Sequence, residues 1–396
     1  MHDHTNPARA RRGPALAAAV LLVGAALATG CGSSSDSAST GAAAGTQSTS
    51  TSPGGDAAAT LKSAREQAPA EYQGPTEPVK APKTLNVAAI TCLSVLSGCV
   101  SPATGVQDAG KALGWKVRVY DGGGTPQKQN AAMLDALSAG ADVIVNIAID
   151  PNLVQQGLRA AKRAKVPVVS GSNGIDTPNP VQKPSGGKLG YLFDVAPDYA
   201  ALGRKAADWI IGDSAGKANV AVFSDKEFPS VIAFQNGVLE GLKACGGCKI
   251  SPLQYFSGTQ VGTTLGQQTT GYLRAHPDVD YVFSPYDPAA AAQVTAIAQA
   301  GMANKIKLVG VLGSQQNLDF IRKGQIQAAD AAYDNRYMGY MLVDGIIRTL
   351  AGKPPFEPHG GNMPGVVLDK INLPAEGSDW VADFDYKSTF LKLWQG

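Results

Sequence analysis

This chain is poor in histidine, the commonest acid–base and metal-binding side chain. It has four histidines: His2 and His4 in the leader, His276 before a proline in a turn, and His359 in a Gly/Pro loop. No Gly-x-Ser-x-Gly, no His-Glu-x-x-His and no Cys/His cluster at metal spacing occurs, so hydrolytic and zinc chemistry lack their reagents. Cys245-Gly-Gly-Cys248 has redox spacing. A redox thiol sits at a helix start, where the dipole lowers its pKa, whereas this pair follows a helical pattern, so a structural bridge is the better reading. Gly122-Gly123-Gly124 after an apolar run suggests a phosphate loop, but no Gly-Lys-Ser/Thr follows. The glycines turn the chain, Thr125 caps the next helix and Pro126 takes its first position. What remains is binding chemistry. Small polar groups at Ser94, Ser97, Ser172 and Asn173, and the Lys226-Glu227-Phe228 triplet, follow apolar runs.

Those runs are the elements that must position them. Residues 85–90, 116–120, 143–147 and 166–170 are rich in β-branched side chains, as buried strands are. Helical periods over 107–113, 127–139 and 153–164 separate them. The alternation predicts an α/β fold with a parallel sheet, ligands binding beyond the carboxyl ends of the strands. After a Gly/Pro-rich loop over 174–188 and an edge strand over 189–193, the pattern starts again. Helix 199–211, strand 219–223, helix 230–242, strand 250–256, helix 264–275, strand 280–283, helix 289–300, strand 307–311, helix 316–322 and strand 327–332 form a second lobe.

The amino terminus reads as an address. Arg9, Arg11 and Arg12 precede an apolar run from Ala15 to Ala28, too short for a mature membrane span and ordered like a secretory signal. It ends Leu27-Ala28-Thr29-Gly30-Cys31. Small residues before a cysteine resemble the lipobox of bacterial lipoproteins, which implies cleavage after residue 30 and lipidation of Cys31. The resemblance departs at Ala28, where leucine is commoner. Residues 31–80 are expected as a flexible tether, rich at first in Ser, Thr, Gly and Ala, with a short helix over 57–67. About 310 residues follow, more than one core usually holds. The net charge of +2 without a basic stripe excludes nucleic acid as a partner. Cys92, Cys99, Cys245 and Cys248 are even in number in an exported chain. Local pairs 92–99 and 245–248 are the simplest bridging, with other connectivities open in principle.

Several motifs in order carry a wider resemblance. They are Val143-Ile144-Val145-Asn146 with Asp150-Pro151, Ala164-Lys165-Val166-Pro167-Val168-Val169 and Leu239-Glu240-Gly241-Leu242. His276-Pro277-Asp278-Val279-Asp280-Tyr281-Val282-Phe283 with Asp287, then Lys307-Leu308-Val309-Gly310 and Arg322-Lys323-Gly324, continue it. Over roughly 85–373 the chain resembles the type I periplasmic solute-binding proteins, of the ribose- and galactose-binding class that serves ABC importers. The resemblance implies two Rossmann-like lobes joined by a three-crossing hinge. The first would comprise 81–194 and 334–353, the second 195–333 and 354–373, with a C-terminal tail over 374–396. The crossings should fall near Asp194, Tyr333–Asp334 and Pro354–Pro355. In the tail, Trp380, Phe384, Tyr386, Phe390 and Trp394 are expected to pack on a lobe.

The resemblance also implies a pocket between the lobes. Ser172-Asn173 stand where pentose binders have an Asp-Arg pair, Gln235 or Asn236 where they have an arginine, and Tyr286 where they have an asparagine before the retained Asp287. Leu312, with Gly313-Ser314 after it, replaces an aspartate, and Gln260 falls near an aromatic position. The charged forks that fix sugar hydroxyls are mostly absent. Ser94, Ser97, Ser314, Lys226, Glu227, Phe228, Tyr286 and a hinge Tyr333 are the candidate replacements, with Phe228 and Tyr286 as ring-stacking faces. The expectation is a monomeric, exported receptor, lipid-anchored on the outer face of the cytoplasmic membrane and working with ABC permease subunits. It would capture a small polar or ring-containing, carbohydrate-like solute by lobe closure, without metal, cofactor or catalysis. A sensor lipoprotein presenting its solute to a membrane receptor or kinase is the alternative. A repressor of this fold would need an amino-terminal helix-turn-helix, where this chain has its leader.

Overall fold

The computed structural model describes residues 57–174, 190–355 and 362–396. The leader, Cys31, the expected tether up to residue 56, His359 and most of the loop after Asn173 lie outside them. In chain order the first sheet and its helices are α1 (Ala57–Arg65), β1 (Asn86–Thr91), α2 (Ser97–Ala112), β2 (Lys116–Asp121), α3 (Pro126–Ser138), β3 (Val143–Ile147), α4 (Gln155–Ala164), β4 (Val168–Gly171) and β5 (Asp194–Val195). The second half gives α5 (Tyr199–Asp213), β6 (Asn219–Asp225), α6 (Pro229–Ala244), β7 (Lys249–Ile250), β8 (Gln254–Phe256), α7 (Leu265–Ala275), β9 (Tyr281–Phe283), α8 (Asp287–Gln299), β10 (Lys307–Leu312), α9 (Gln315–Arg322) and β11 (Gln327–Tyr333). Helix α10 (Asn335–Leu350), β12 (Gly365–Leu368) and α11 (Tyr386–Leu393) complete the chain.

The strands form two sheets, β2-β1-β3-β4-β5 and β12-β11-β10-β9-β6-β7. Every pair is parallel except β11–β12. β3 is buried along its whole length, as its continuous β-branched run requires. β2 corrects the expectation of four buried strands. It is the sheet edge, with only Val117 and Tyr120 half-covered. The single strand expected over 250–256 is broken into β7 and β8, with Pro252 between them, because proline has no N–H for the ladder.

Helix α2 begins ten residues before its predicted start, since Gly98, Pro102 and Gly105 conceal the helical period. Gly105 has a physical reason. A Cβ there would lie 2.4 Å from the Arg336 carbonyl oxygen, and Gly339 faces it from α10. The two glycines let α2 and α10 cross backbone to backbone. Gly203 of α5 meets Gly237 of α6 in the same way in the second lobe.

The chain passes between sheets after Val195, after Tyr333 and between Leu350 and Gly365. Helix α10 thereby returns to the first lobe, against α2 and β4. Two further passages correct the expected tether. Residues 57–80 are packed on the body. Helix α1 lies on α5, with Ala64 buried, Arg65 paired to Asp369 at 2.6 Å, and Lys205 donating to the Glu66 carbonyl. The chain then crosses to the first lobe, where the Val79 and Ala81 amides donate to the Leu393 and Trp394 carbonyls. The tail mirrors this route. Trp380 packs with Leu318 and Val366 in lobe two, whereas Tyr386, Phe390 and Trp394 cover Tyr337 and Tyr340 of α10. Tyr72 closes that ring cluster, 5.8 Å from Phe384 and Phe390.

Candidate inter-lobe binding site

The carboxyl ends of both sheets face one another, and the lobes touch there. Ser97 Oγ of α2 stands 3.3 Å from Ser314 Oγ. The Leu312 side chain reaches Gly98, and Leu96 reaches Gly258. Among the described residues, two cavities lie side by side between the lobes. One, of about 50 Å³, is lined by Cys92, Cys99, Leu96, Ala148 and Ser172 from the first lobe. Phe228, Val231, Pro285, Tyr286, Leu312 and Tyr333 line it from the second. The other, of about 130 Å³, lies beside it between Leu93, Gly124, Gln129, Asp150 and Leu153 on one side and Glu227, Phe228, Gly258 and Thr259 on the other. Cys92, Ala148 and Phe228 border both. Wider concavities of about 570 and 610 Å³ are grooves on the surface of the second lobe, one between α7 and α8 and one beside α9. Their described lining takes no residue from the first lobe.

Cys92 and Cys99 are disulfide-bonded, with Cα atoms 5.5 Å apart, and so are Cys245 and Cys248, at 5.4 Å. The first bridge is itself part of the cleft wall, tying the end of β1 to the first turn of α2. Cys245–Cys248 lies at the end of α6, away from the cleft.

Phe228 precedes α6 and Tyr286 precedes α8, both in extended backbone, Phe228 directly before Pro229 and Tyr286 two residues before Pro288. Their rings meet edge to face at 6.2 Å and 90°. Tyr286 is buried and donates its hydroxyl to Asp225 Oδ2 at 3.0 Å. Asp225 ends β6 and also accepts the Glu227 amide. Burial pushes its carboxyl up to about 7, with nearby Glu227 adding to the rise against the hydrogen bonds it accepts. Sequence reasoning missed Asp225 because the strand was ended at Phe223. An aspartate closing a parallel strand on the ligand side was the available signal. Gln129 and Asp150 were missed as lining residues for a similar reason: each had a sufficient structural role, in a helix and at a cap.

The sequence-derived candidates divide. Ser172, Glu227, Phe228, Tyr286 and Tyr333 line the cavities. Ser314 borders a smaller recess further back with Tyr333. Ser97 belongs to α2 rather than to a loop. Ser94 points to its own lobe, where its amide and hydroxyl both donate to Asp121. Lys226 is exposed and rests 3.9 Å above the Tyr255 ring, and Asn236 is exposed on α6. Gln260 is spent on its own loop, accepting the Ser257 amide and donating to Thr264. Gln235 is buried in α6, and Asn173 is buried with both amide atoms unpartnered; neither borders the two cavities. Tyr333 packs edge to face on Tyr199.

Asp287 is not a cleft residue. It sits fully buried beneath the turn after β10, beside Asp330. Asp287 accepts the Ser314 amide at 2.6 Å and Asp330 accepts the Gly313 amide at 2.8 Å. Burial, then the neighbouring Asp330 charge, pushes Asp287 well up; burial raises Asp330 to about 6, restrained by its hydrogen bond with Asp287. The pair grips a turn whose Leu312 has φ +126°, a backbone region that non-glycine residues rarely adopt. That strain aims the Leu312 side chain into the cleft.

Comparison with known proteins agrees with this architecture. A family model described as periplasmic binding protein domain matches residues 99–354. Among curated proteins none matches this chain. Solved structures of similar fold include an ABC transporter solute-binding protein from Agrobacterium vitis with bound allitol (TM-score 0.63, 20% identity, covering 73% of this chain and 96% of that one). Another is an ABC transporter solute-binding protein from Mycobacterium smegmatis with bound glycerol (TM-score 0.62, 20% identity, 75% and 100%). A third is the binding component of the arabinose ABC transporter from Shewanella sp. ANA-3 with bound L-arabinofuranose (TM-score 0.62, 22% identity, 72% and 92%). With two parallel-sheet lobes, a hinge between them and a match over most of its body, the chain belongs to the periplasmic binding protein domain family and is a binding protein rather than an enzyme.

Proposed function

We propose that this chain is the extracytoplasmic, lipid-anchored solute receptor of an ABC importer. It captures a small polar or ring-containing solute, carbohydrate-like or related, by closure of its lobes, and hands it to permease subunits. The observation that carries this reading is the pair of cavities lined from both lobes around Phe228, whose volumes of about 50 and 130 Å³ suit a compact solute. Only with the lobes together do both sets of side chains reach one molecule, so binding shifts the population toward the closed state. The solved relatives' allitol, glycerol and arabinofuranose support a small polar solute. The anchor rests on the charged leader, its apolar run and Cys31.

A thermal-shift screen of sugars, polyols, aromatic acids, nucleosides and amines tests the binding reading, with calorimetry on each hit. The expected result is a hit with one-to-one stoichiometry, weakened by substitution at Phe228. Hits unaffected at Phe228 would place the solute elsewhere. For the anchor, Cys31→Ala is expected to release the protein into the medium; an unchanged membrane fraction would refute lipidation.

A further inference from the structure

The charge of the cleft lining is one-sided. Asp150 of the first lobe and Glu227 of the second border the larger cavity, and Asp225 lies behind Tyr286 in the wall of the smaller one. Among the described residues, no lysine, arginine or histidine lines either of the two cavities. Lys226, the nearest cation in sequence, lies over the Tyr255 ring. Several of the hydroxyl and amide donors near the cleft are already committed. Tyr286 donates to Asp225, the Gly258 amide to Glu227, the Gly124 amide to the Cys92 carbonyl, and Ser172 to the Met338 sulfur. A buried amide side chain stands beside the two carboxylates. Gln129 is 7% exposed and lines the larger cavity, and its Oε1 has no hydrogen-bond partner.

Sugar hydroxyls both donate and accept, and a pocket that fixes them supplies both kinds of partner. Among the described residues this lining supplies two carboxylates and no cationic partner. We propose that the solute carries a protonated amine or amidine, as an aminated ring or an amino sugar would, seated between Asp150 and Glu227 with its cation beside the face of Phe228. The proposal rests on the receptor reading above and narrows its solute class. It also gives closure a cause. Two carboxylates brought together from opposite lobes repel one another, and a positive solute between them converts that repulsion into attraction from both sides. Phe228 adds the ring quadrupole, which attracts cations.

The test is calorimetry of the full chain with matched probes: benzylamine against benzyl alcohol, and glucosamine against glucose. Each is repeated with Glu227→Gln and Asp150→Asn. These amides keep the shape of each carboxylate and, at Asp150, an oxygen to cap Asn152. At least one amine is expected to bind more than tenfold tighter than its neutral partner, and each amide variant to lose roughly tenfold of that affinity. A neutral probe that binds as tightly as its amine, indifferent to both substitutions, would overturn the cationic class and leave the receptor reading standing. Amine binding that both substitutions leave intact would also overturn it. Binding by none of the four would count against the cationic class, and only an equally blank wider screen would count against the receptor.

Discussion

At the scale of single residues, Phe228 and Tyr286 now have different duties. Phe228 is half-buried and borders both cavities; Tyr286 is buried and holds Asp225. Phe228→Ala should therefore weaken solute binding about tenfold or more, through lost burial and ~0.5–1.5 kcal/mol of ring contact, with little change in the melting temperature. Tyr286→Ala should lower the melting temperature as well, because it strips a buried carboxylate of its donor. Calorimetry and thermal melts on both variants separate these outcomes; a Phe228→Ala protein that melts early yet binds normally would make Phe228 a core residue. Asp225 makes a second prediction. Its folded pKa of about 7 exceeds the ordinary 3.8, so the folded state holds the proton more tightly than the unfolded one. Stability from this group is then full below the ordinary value, falls as pH rises toward 7, and stays low above it. Asp225→Asn should melt higher than the parent at pH 8 and nearly together with it at pH 4. The Asp287–Asp330 pair shifts in the same direction and remains as background in both proteins. Equal melting differences at the two pH values would refute the assignment.

At the scale of elements, two helices outside the expected lobes stitch the molecule. α1 lies on the second lobe, and α11 seals the aromatic face of α10 in the first. Phe390 is fully buried there. Phe390→Ala should cost about 3–5 kcal/mol, the usual penalty for emptying a buried aromatic site, measurable by denaturant unfolding; a loss under about 1 kcal/mol would show the tail to be dispensable. The alternation of strand and helix, both disulfides and the order of the lobes could be read from the sequence because they rest on local periodicity and short separations. What could not be read rests on distant partners. The start of α2 was hidden because Gly105 answers to Gly339, far along the chain. The packing of 57–80 was hidden because Arg65 answers to Asp369 and Val79 to Leu393. The cleft was legible at Ser172, Glu227, Phe228, Tyr286 and Tyr333, which follow strand ends. Asp287 misled because its position marks a strand end while its side chain turns inward to Asp330.

At the scale of the whole molecule, the account predicts that solute enters an open form and is enclosed as the lobes meet. Ser97 and Ser314 meet across the cleft with their hydroxyl oxygens 3.3 Å apart, close enough for a bridge once both are cysteines. The double variant Ser97→Cys/Ser314→Cys, oxidised before solute is added, locks the closed arrangement. Calorimetry with the solute chosen in the screen should then show no uptake by the oxidised protein and recovery on mild reduction, while the unaltered chain binds the same way before and after that treatment. Equal binding by the oxidised and reduced double variant, with the new bridge verified by mass spectrometry, would contradict capture between closing lobes.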